Sequence, residues 1–323
     1  MQNICFFAHY DQDDRVDEYV LRYLQKIKDL KFDIVFVSTS RLGQTDVHGL
    51  HAHCLDVIVR ENIGLDFASW SAGIAKHQDA ITGRMLLAND SVYGPFGDLT
   101  SVVERLTSQP ADFYGMVESI EIAPHLQSWF LLFEPWVARN PVLQEIMAQP
   151  FSSMTKPQII TNGEVAISRR LSDASFKYKG LYMPTRSGLI ASRFAANPMH
   201  LLWRELLFDL GVPFLKVDLL RDNPKYAGDA TTVLAEVEPL NPTLSALIRS
   251  HLARIQRKKL AHRPTRRSRW AVRAQYAMLR QGYLLRQQNK RTAEVWTFLK
   301  LAAFTATLRA WSFRRRLIRR REM

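Results

Sequence analysis

Four short apolar runs in the first ninety residues, at 3–8, 32–37, 56–59 and 85–88, alternate with segments of helical character, and this alternation limits the fold more than any other feature. After the first run, Val16, Tyr19, Val20, Tyr23, Leu24, Ile27 and Leu30 recur at spacings of three and four, the apolar face of an amphipathic helix. Residues 67–76 read as a second helix, between the third and fourth runs. Strands that alternate with helices predict an α/β fold with an open, mostly parallel sheet and flanking helices. Further along, the pattern predicts a helix over 99–106, a strand over 112–116 and an apolar run over 129–133. Pro135, Pro141, Pro150 and Pro157 then punctuate short helices, and 201–210 reads as helical. Asn162-Gly163-Glu164 ahead of Val165, Ala166, Ile167 and Leu171 predicts a helix start with an acidic residue at its mouth.

The fourth run ends abruptly in Asn89-Asp90-Ser91, and a polar loop, Asn62-x-Gly64-x-Asp66, lies about twenty-five residues upstream after the third run. Polar residues at the carboxyl edge of an α/β sheet are how such folds build binding sites. Carboxylate and amide oxygens suit a hard divalent cation, Mg2+ or Mn2+, with Asp90 as the metal ligand, and Gly64 lets the backbone come close to a ligand. Plainer roles compete at the same residues. Asp66 suits a helix cap, Asn89-Asp90 a turn ahead of Gly94-Pro95, and Arg60 with Glu61 a surface ion pair. His48, His51, His53 and Cys54 have no spacing of a closed structural zinc site and read as a solvated loop.

With 323 residues, 47% of them hydrophobic, the chain can bury one large domain and carry an appendage. Charge divides it. From Arg254 onward there are 21 Lys and Arg against Glu294 and Glu322, a net of +19 out of +13 for the whole, so residues 1–253 carry −6. The division predicts a domain over 1–250 and a basic helical tail over 251–323. Cys5 and Cys54 lie in or beside apparent strands, which suits packing in a reducing compartment, and the first residues enter a strand without the basic start of a signal peptide.

Five motifs, in order, point to a family. They are Arg60-Glu61-Asn62-x-Gly64-x-Asp66-Phe67, the run from Asn89 to Phe96, Asp112-Phe113-Tyr114-Gly115, the run from His125 to Phe130, and Pro213-Phe214-Leu215-Lys216. Over roughly residues 1–225 the chain resembles the rhamnan synthesis protein F family. The resemblance implies a GT-A-like glycosyltransferase of bacterial cell-surface polysaccharide assembly, of the O-antigen or rhamnan type. It implies a nucleoside diphosphate sugar donor such as dTDP-rhamnose, a lipid-linked glycan acceptor and an inverting, metal-assisted transfer. Broader inverting GT-A enzymes carry an Asn-x-Gly loop, an Asp-x-Asp metal motif and a later acidic base. The matching residues are Asn62-x-Gly64, Asn89-Asp90-Ser91 and Glu164, with one Asp of the pair replaced. By the same resemblance Glu164 is the catalytic base, and Tyr10 and Asp11 meet the nucleoside. Arg60, Asn62, Asp66, Asn89 and Ser91 serve the donor, while His125, Gln127 and Ser128 line the sugar or acceptor pocket. The replaced Asp leaves a second expectation open, a catalytically silent GT-A-like scaffold in an assembly complex.

In the tail, Arg266, Arg269, Arg273 and Arg280 fall on one side of a helix, with Ala271, Ala274, Met278 and Leu285 roughly opposite. That pattern suits an anionic membrane surface. Residues 295–313 are not expected to span a bilayer, because Lys300 and Arg309 bracket eight uncharged residues, about 12 Å of a core about 30 Å thick. Arg314–Arg316 and Arg319–Arg321 also suit nucleic acid. Against that stand the absence of a recognised nucleic-acid module and the presence of Trp270, Trp296 and Trp311, residues of a bilayer interface. The expectation is a protein peripheral to the inner face of the plasma membrane.

Overall fold

In the computed structural model, which describes residues 1–183, 197–223 and 230–256 and isolated positions between 277 and 303, all six residues of β1 (Ile4–His9) are buried. Side chains alternate across a strand, and here both faces meet apolar cover. Cys5 and Phe7 join one hydrophobic cluster, while Ile4, Phe6 and Ala8 join another. The first ninety residues continue with α1 (Glu18–Asp29), β2 (Asp33–Ser38), α2 (Gln44–His51), β3 (Asp56–Val59), α3 (Leu65–His77) and β4 (Met85–Asn89). Tyr19, Val20, Tyr23, Leu24 and Ile27 of α1 cover the first face, the helical stripe read from the sequence. Phe67, Trp70 and Ile74 of α3 cover the second, and the Trp70 indole donates to the Ala88 carbonyl at 3.0 Å.

β5 (Val92–Tyr93), α4 (Leu99–Thr107), β6 (Phe113–Ser119), β7 (His125–Leu126), β8 (Phe130–Phe133) and β9 (Tyr178–Tyr182) follow. The sheet runs β3-β2-β1-β4-β8-β6-β7, with β9 also paired to β6. β3, β2, β1 and β4 are all parallel, as is β9 on β6. β8 enters antiparallel to both β4 and β6. The sheet is therefore mixed, with parallel pairing dominant, and the expected α/β class holds. An apolar run such as 129–133 carries no signal of strand direction, so its antiparallel entry is a product of chain routing. Because β2 lies on one side of β1 and β4 on the other, strand order reverses there. A crevice opens at the carboxyl ends of adjacent strands at such a point.

The helix start expected at Asn162-Gly163-Glu164 lies earlier. Thr155 begins it with a capping box in which its backbone N–H donates to Gln158 Oε1 at 2.8 Å. The helix Lys156–Ile159 then passes through a π-helical turn, Ile160–Val165, into Ala166–Asp173. Glu164 thus sits inside a continuous helix, on a wide turn of a type often found at functional sites. Gly163 permits this packing, since a Cβ there would lie 2.6 Å from the Phe67 ring.

The helix Pro242–Gln256 runs across residue 250, and Leu244, Ile248, Leu252 and Ile255 bury into the first cluster. Its Arg254 donates to Asp11 Oδ1 at 2.9 Å and also bonds Asp13 and Asp17. Burial opposes the charge on Asp11, but the Arg254 guanidinium and the Asp13 N–H hold its pKa below the usual carboxylate value. A depressed carboxylate stabilises above its unfolded pKa, about 3.9, and that stability is lost as pH falls through the lower folded value. Arg254→Gln leaves three carboxylates facing one another and is expected to cost about 3 kcal/mol at neutral pH, read by urea unfolding. A change within about 0.5 kcal/mol would mean that the cluster does not fasten this helix.

Of the tail, Arg280 pairs with Glu205, and Met278 packs against the first cluster. Arg266, Arg269, Arg273 and the arginines of 314–321 lie outside the described residues, as do Trp270 and Trp311. Among the described residues no helix is long and apolar enough to cross a membrane. Cys5 and Cys54 are buried free thiols.

Candidate functional site

A cavity of about 520 Å³ opens at the carboxyl ends of β1 and β4, within the size range of small-ligand sites. Tyr10 and Asp11 reach it from beyond β1, Asn62 and Asp66 from the turn into α3, and Asp90 and Ser91 from the end of β4. Five of the residues expected to serve a donor, and the expected metal ligand Asp90, therefore share one cavity. Two others, Gly64 and Asn89, do not line it but hold residues that do. Gly64, at φ +76°, is the residue before α3, and a Cβ on it would lie 2.5 Å from the Ala68 Cβ and 2.9 Å from the Phe151 backbone. Asn89, buried, donates its amide to Asp66 Oδ2 at 2.7 Å and accepts from the Ser91 hydroxyl at 2.6 Å. Asp66 accordingly does not cap α3; its carboxylate is held by β4 instead.

Asp90 accepts from the Tyr10 N–H at 2.9 Å. Its carboxyl is pushed well above the usual range by burial and, further, by the charges of Asp66 and Asp11. Burial also raises Asp66, partly offset by its bond from Asn89 and the charge of Lys216. His9 is close to Asp90, at 3.9 Å, but burial lowers its pKa to about 4 and its Nδ1 bonds the Ser38 hydroxyl, so it brings no charge. The cavity thus holds two desolvated carboxylates that repel each other.

The nearby group of Asp11, Asp17 and His251 has ligand atoms within 4.8 Å of one another. It is poorly suited to a cation, because the Arg254 guanidinium already bonds both carboxylates. Tyr93 O–H donates to His251 Nδ1 at 2.6 Å, and burial lowers the His251 pKa, which leaves a neutral ring with its Nε2–H toward Asp17 at 3.6 Å. Asp11 gives both oxygens to Arg254, so of the pair expected to meet the nucleoside, Tyr10, 51% exposed, has the free side chain.

A second cavity, about 330 Å³, is lined by His125, Gln127 and Glu164 among others. Glu164 Oε1 accepts from the Ser128 N–H at 3.0 Å and lies 3.8 Å from His125 Nε2. His125 Nδ1 donates to the Ala123 carbonyl at 2.7 Å, so Nε2 presents its lone pair to Glu164 unless the ring is charged. Gln127 is bonded to Asn197 and Trp129. Gly163, beside Glu164, packs against the ring of Phe67, beside Asp66, so the two cavities are neighbours.

Arg60, expected to meet a diphosphate, lies off both cavities. Its guanidinium donates to the Ile63 carbonyl at 3.0 Å and to the hydroxyls of Ser69 and Ser152.

Residues 34–294 match the rhamnan synthesis protein F family, most of the chain, and include Asn62, Asp66, Asp90 and Lys216 of the first cavity and Glu164 of the second. The chain belongs to the rhamnan synthesis protein F family. Virulence protein VirA of Vibrio anguillarum is 26% identical over 255 residues, 69% of this chain and 81% of that protein. Among solved structures, the glycosyltransferase GlyE of Streptococcus pneumoniae is similar with a TM-score of 0.39 at 11% identity, covering 79% of this chain and 64% of GlyE. S. aureus TarS 1–349 is similar with a TM-score of 0.38 at 10% identity, covering 95% and 92% of the two chains.

In this rhamnan synthesis protein F family member, Lys216, Arg221, His251 and Ile255 also line the cavity, although local sequence patterns give them no role there. Lys216 stands in the fifth motif, and that motif was the available signal. β10 (Leu215–Lys216) pairs antiparallel with β5, which brings it beside Ser91. His251 and Ile255 come from a helix whose amphipathic pattern reads as ordinary packing.

Proposed function

We propose that this family member is a glycosyltransferase that moves a sugar, rhamnose in our reading, from a nucleoside diphosphate donor to a hydroxyl of a lipid-linked glycan. The observation that carries the reading is the convergence of Asp66 and Asp90, each desolvated, on one cavity at the ends of β1 and β4. Two such carboxylates fit a divalent cation, Mg2+ or Mn2+, held by Asp90 with Asp66 beside it; when bound, the ion supplies positive charge to the donor's diphosphate. Tyr10 serves the nucleoside, and Asn62 and Ser91 hydrogen-bond the donor. Glu164, fixed by the Ser128 N–H, takes the proton of the attacking hydroxyl. His125, Gln127 and Ser128 border the acceptor. An oxygen that loses its proton on that side attacks the sugar from the face opposite the diphosphate, in an inverting transfer.

One observation favours a second reading, a silent scaffold. Asp90 is the sole carboxylate of the strand-end triplet, and the side chain of Asn89 beside it is committed to Asp66 and Ser91. Saturation-transfer NMR with a panel of dTDP, UDP and GDP sugars tests the donor assignment. Saturation is expected on base, ribose and sugar protons of at least one donor, and its absence across the panel would overturn the donor cavity.

The basic tail supports attachment to the inner face of the plasma membrane, where a lipid-linked acceptor resides, in preference to nucleic acid. A chain ending at Gln256 keeps the helix that carries Arg254 and is expected to fold. Sedimentation with phosphatidylglycerol vesicles is expected to recover the full chain at low salt and much less of it at high salt, and to leave the shorter chain in the supernatant. Equal sedimentation of the two chains would remove the tail from membrane attachment.

A further inference from the structure

We propose that Lys216 is the protein's phosphate ligand in this cavity, the cation that binds the donor's diphosphate and receives its charge as the sugar leaves. This rests on the donor reading above. The argument begins with charge. Of the carboxylates lining the cavity, Asp11 is matched by Arg254, and Asp218 is bonded to His200 Nε2 at 2.8 Å while its charge, with that of Asp66, also acts on Lys216. Of the cations lining it among the described residues, Arg221 bonds Asp222 at 2.7 Å. Lys216 differs, because its ammonium donates to a neutral hydroxyl, Ser91 Oγ, at 3.3 Å. An ammonium has three donors, so two further positions are open to ligand oxygens.

The backbone supplies the second line of argument. Lys216 is opposite Val92 in the β5–β10 ladder, and the Val217 N–H donates to the Ser91 carbonyl at 2.9 Å. The Phe96 N–H donates to the Pro213 carbonyl at 2.8 Å. Three backbone links therefore fasten the lysine to the segment that follows Asp90, although the two are more than a hundred residues apart in sequence. A cation held on a rigid ladder beside the strand-end carboxylate loses little freedom on binding a phosphate oxygen. Arg60 does not line this cavity, and its guanidinium donates to the Ile63 carbonyl and to the hydroxyls of Ser69 and Ser152.

The test is calorimetric titration of full-length wild type and Lys216→Met with dTDP and UDP in Mg2+, and with thymidine and uridine measured by saturation-transfer NMR. Loss of a charge-assisted contact is expected to weaken the diphosphates at least tenfold, about 1.4 kcal/mol, and to leave the nucleosides unchanged. Equal diphosphate affinity in the variant would overturn the assignment while leaving the donor reading intact. Parallel loss of nucleoside binding would assign Lys216 to the shape of the cavity and overturn it too. Failure of wild type to bind either diphosphate would overturn the assignment together with the donor reading.

Discussion

Asp90→Asn is expected to lower donor turnover by about a hundredfold and, in the same protein kept in chelator, to raise the melting temperature. The two effects share one cause. Burial and the charges of Asp66 and Asp11 raise the Asp90 pKa above its unfolded value, so the ionised carboxylate costs stability once pH exceeds about 4. Wild-type stability should fall as pH rises from that point through the folded pKa, and the variant should lack this component. Asparagine keeps an oxygen for the Tyr10 N–H, so the loop stays in place. Relief of the repulsion is expected to give about 2 °C or more at neutral pH. Wild-type turnover in the variant, with and without chelator, would exclude a cation at Asp90. A variant that melts below wild type in chelator would show that the carboxylate fastens the loop more than it repels its neighbours.

Glu164→Gln is expected to reduce sugar transfer by at least about a hundredfold while donor affinity is retained. Glutamine preserves the oxygen that accepts from the Ser128 N–H, so the π-helical turn keeps its anchor. What is lost is a carboxylate able to take a proton, 3.8 Å from a histidine ring whose other nitrogen is tied to the Ala123 carbonyl. Rapid-quench transfer assays beside donor titration separate the two quantities. Equal loss of affinity and transfer would instead assign Glu164 to holding the helical turn.

The part of this architecture written in local periodicity was legible in the sequence. β1 to β4 and α1 follow from apolar runs and a three-and-four stripe, and the polar triplet after β4 stood out because it ended a buried strand. What depends on chain routing was not legible. An apolar run says nothing about direction, so β8 gave no sign that it enters antiparallel. Arg254 is one cation among many in a basic segment, and only the folded chain shows it closing on Asp11, Asp13 and Asp17. The composition break near residue 250 is real, yet the helix crosses it, because burial of Leu252 and Ile255 is decided by the body they pack against. Asn162-Gly163-Glu164 reads as a helix start, while the capping box that begins the helix, Thr155 with Gln158, lies just upstream. The resemblance gives Arg60 to the donor, and nothing in the sequence shows which residues surround it. In the fold its guanidinium lies beside the cavity and not in its lining, donating to Ser69 and Ser152.

The most direct measurement of the central claim is release of nucleoside diphosphate from a panel of sugar nucleotides by full-length protein, in Mg2+ or Mn2+, beside Asp90→Asn and Glu164→Gln. The expected result is release from at least one donor, dTDP-rhamnose foremost, faster with a lipid-linked acceptor and strongly reduced in both variants. Release from no donor in the presence of acceptor, by protein that binds the same nucleotides, would contradict an active glycosyltransferase and leave the silent scaffold.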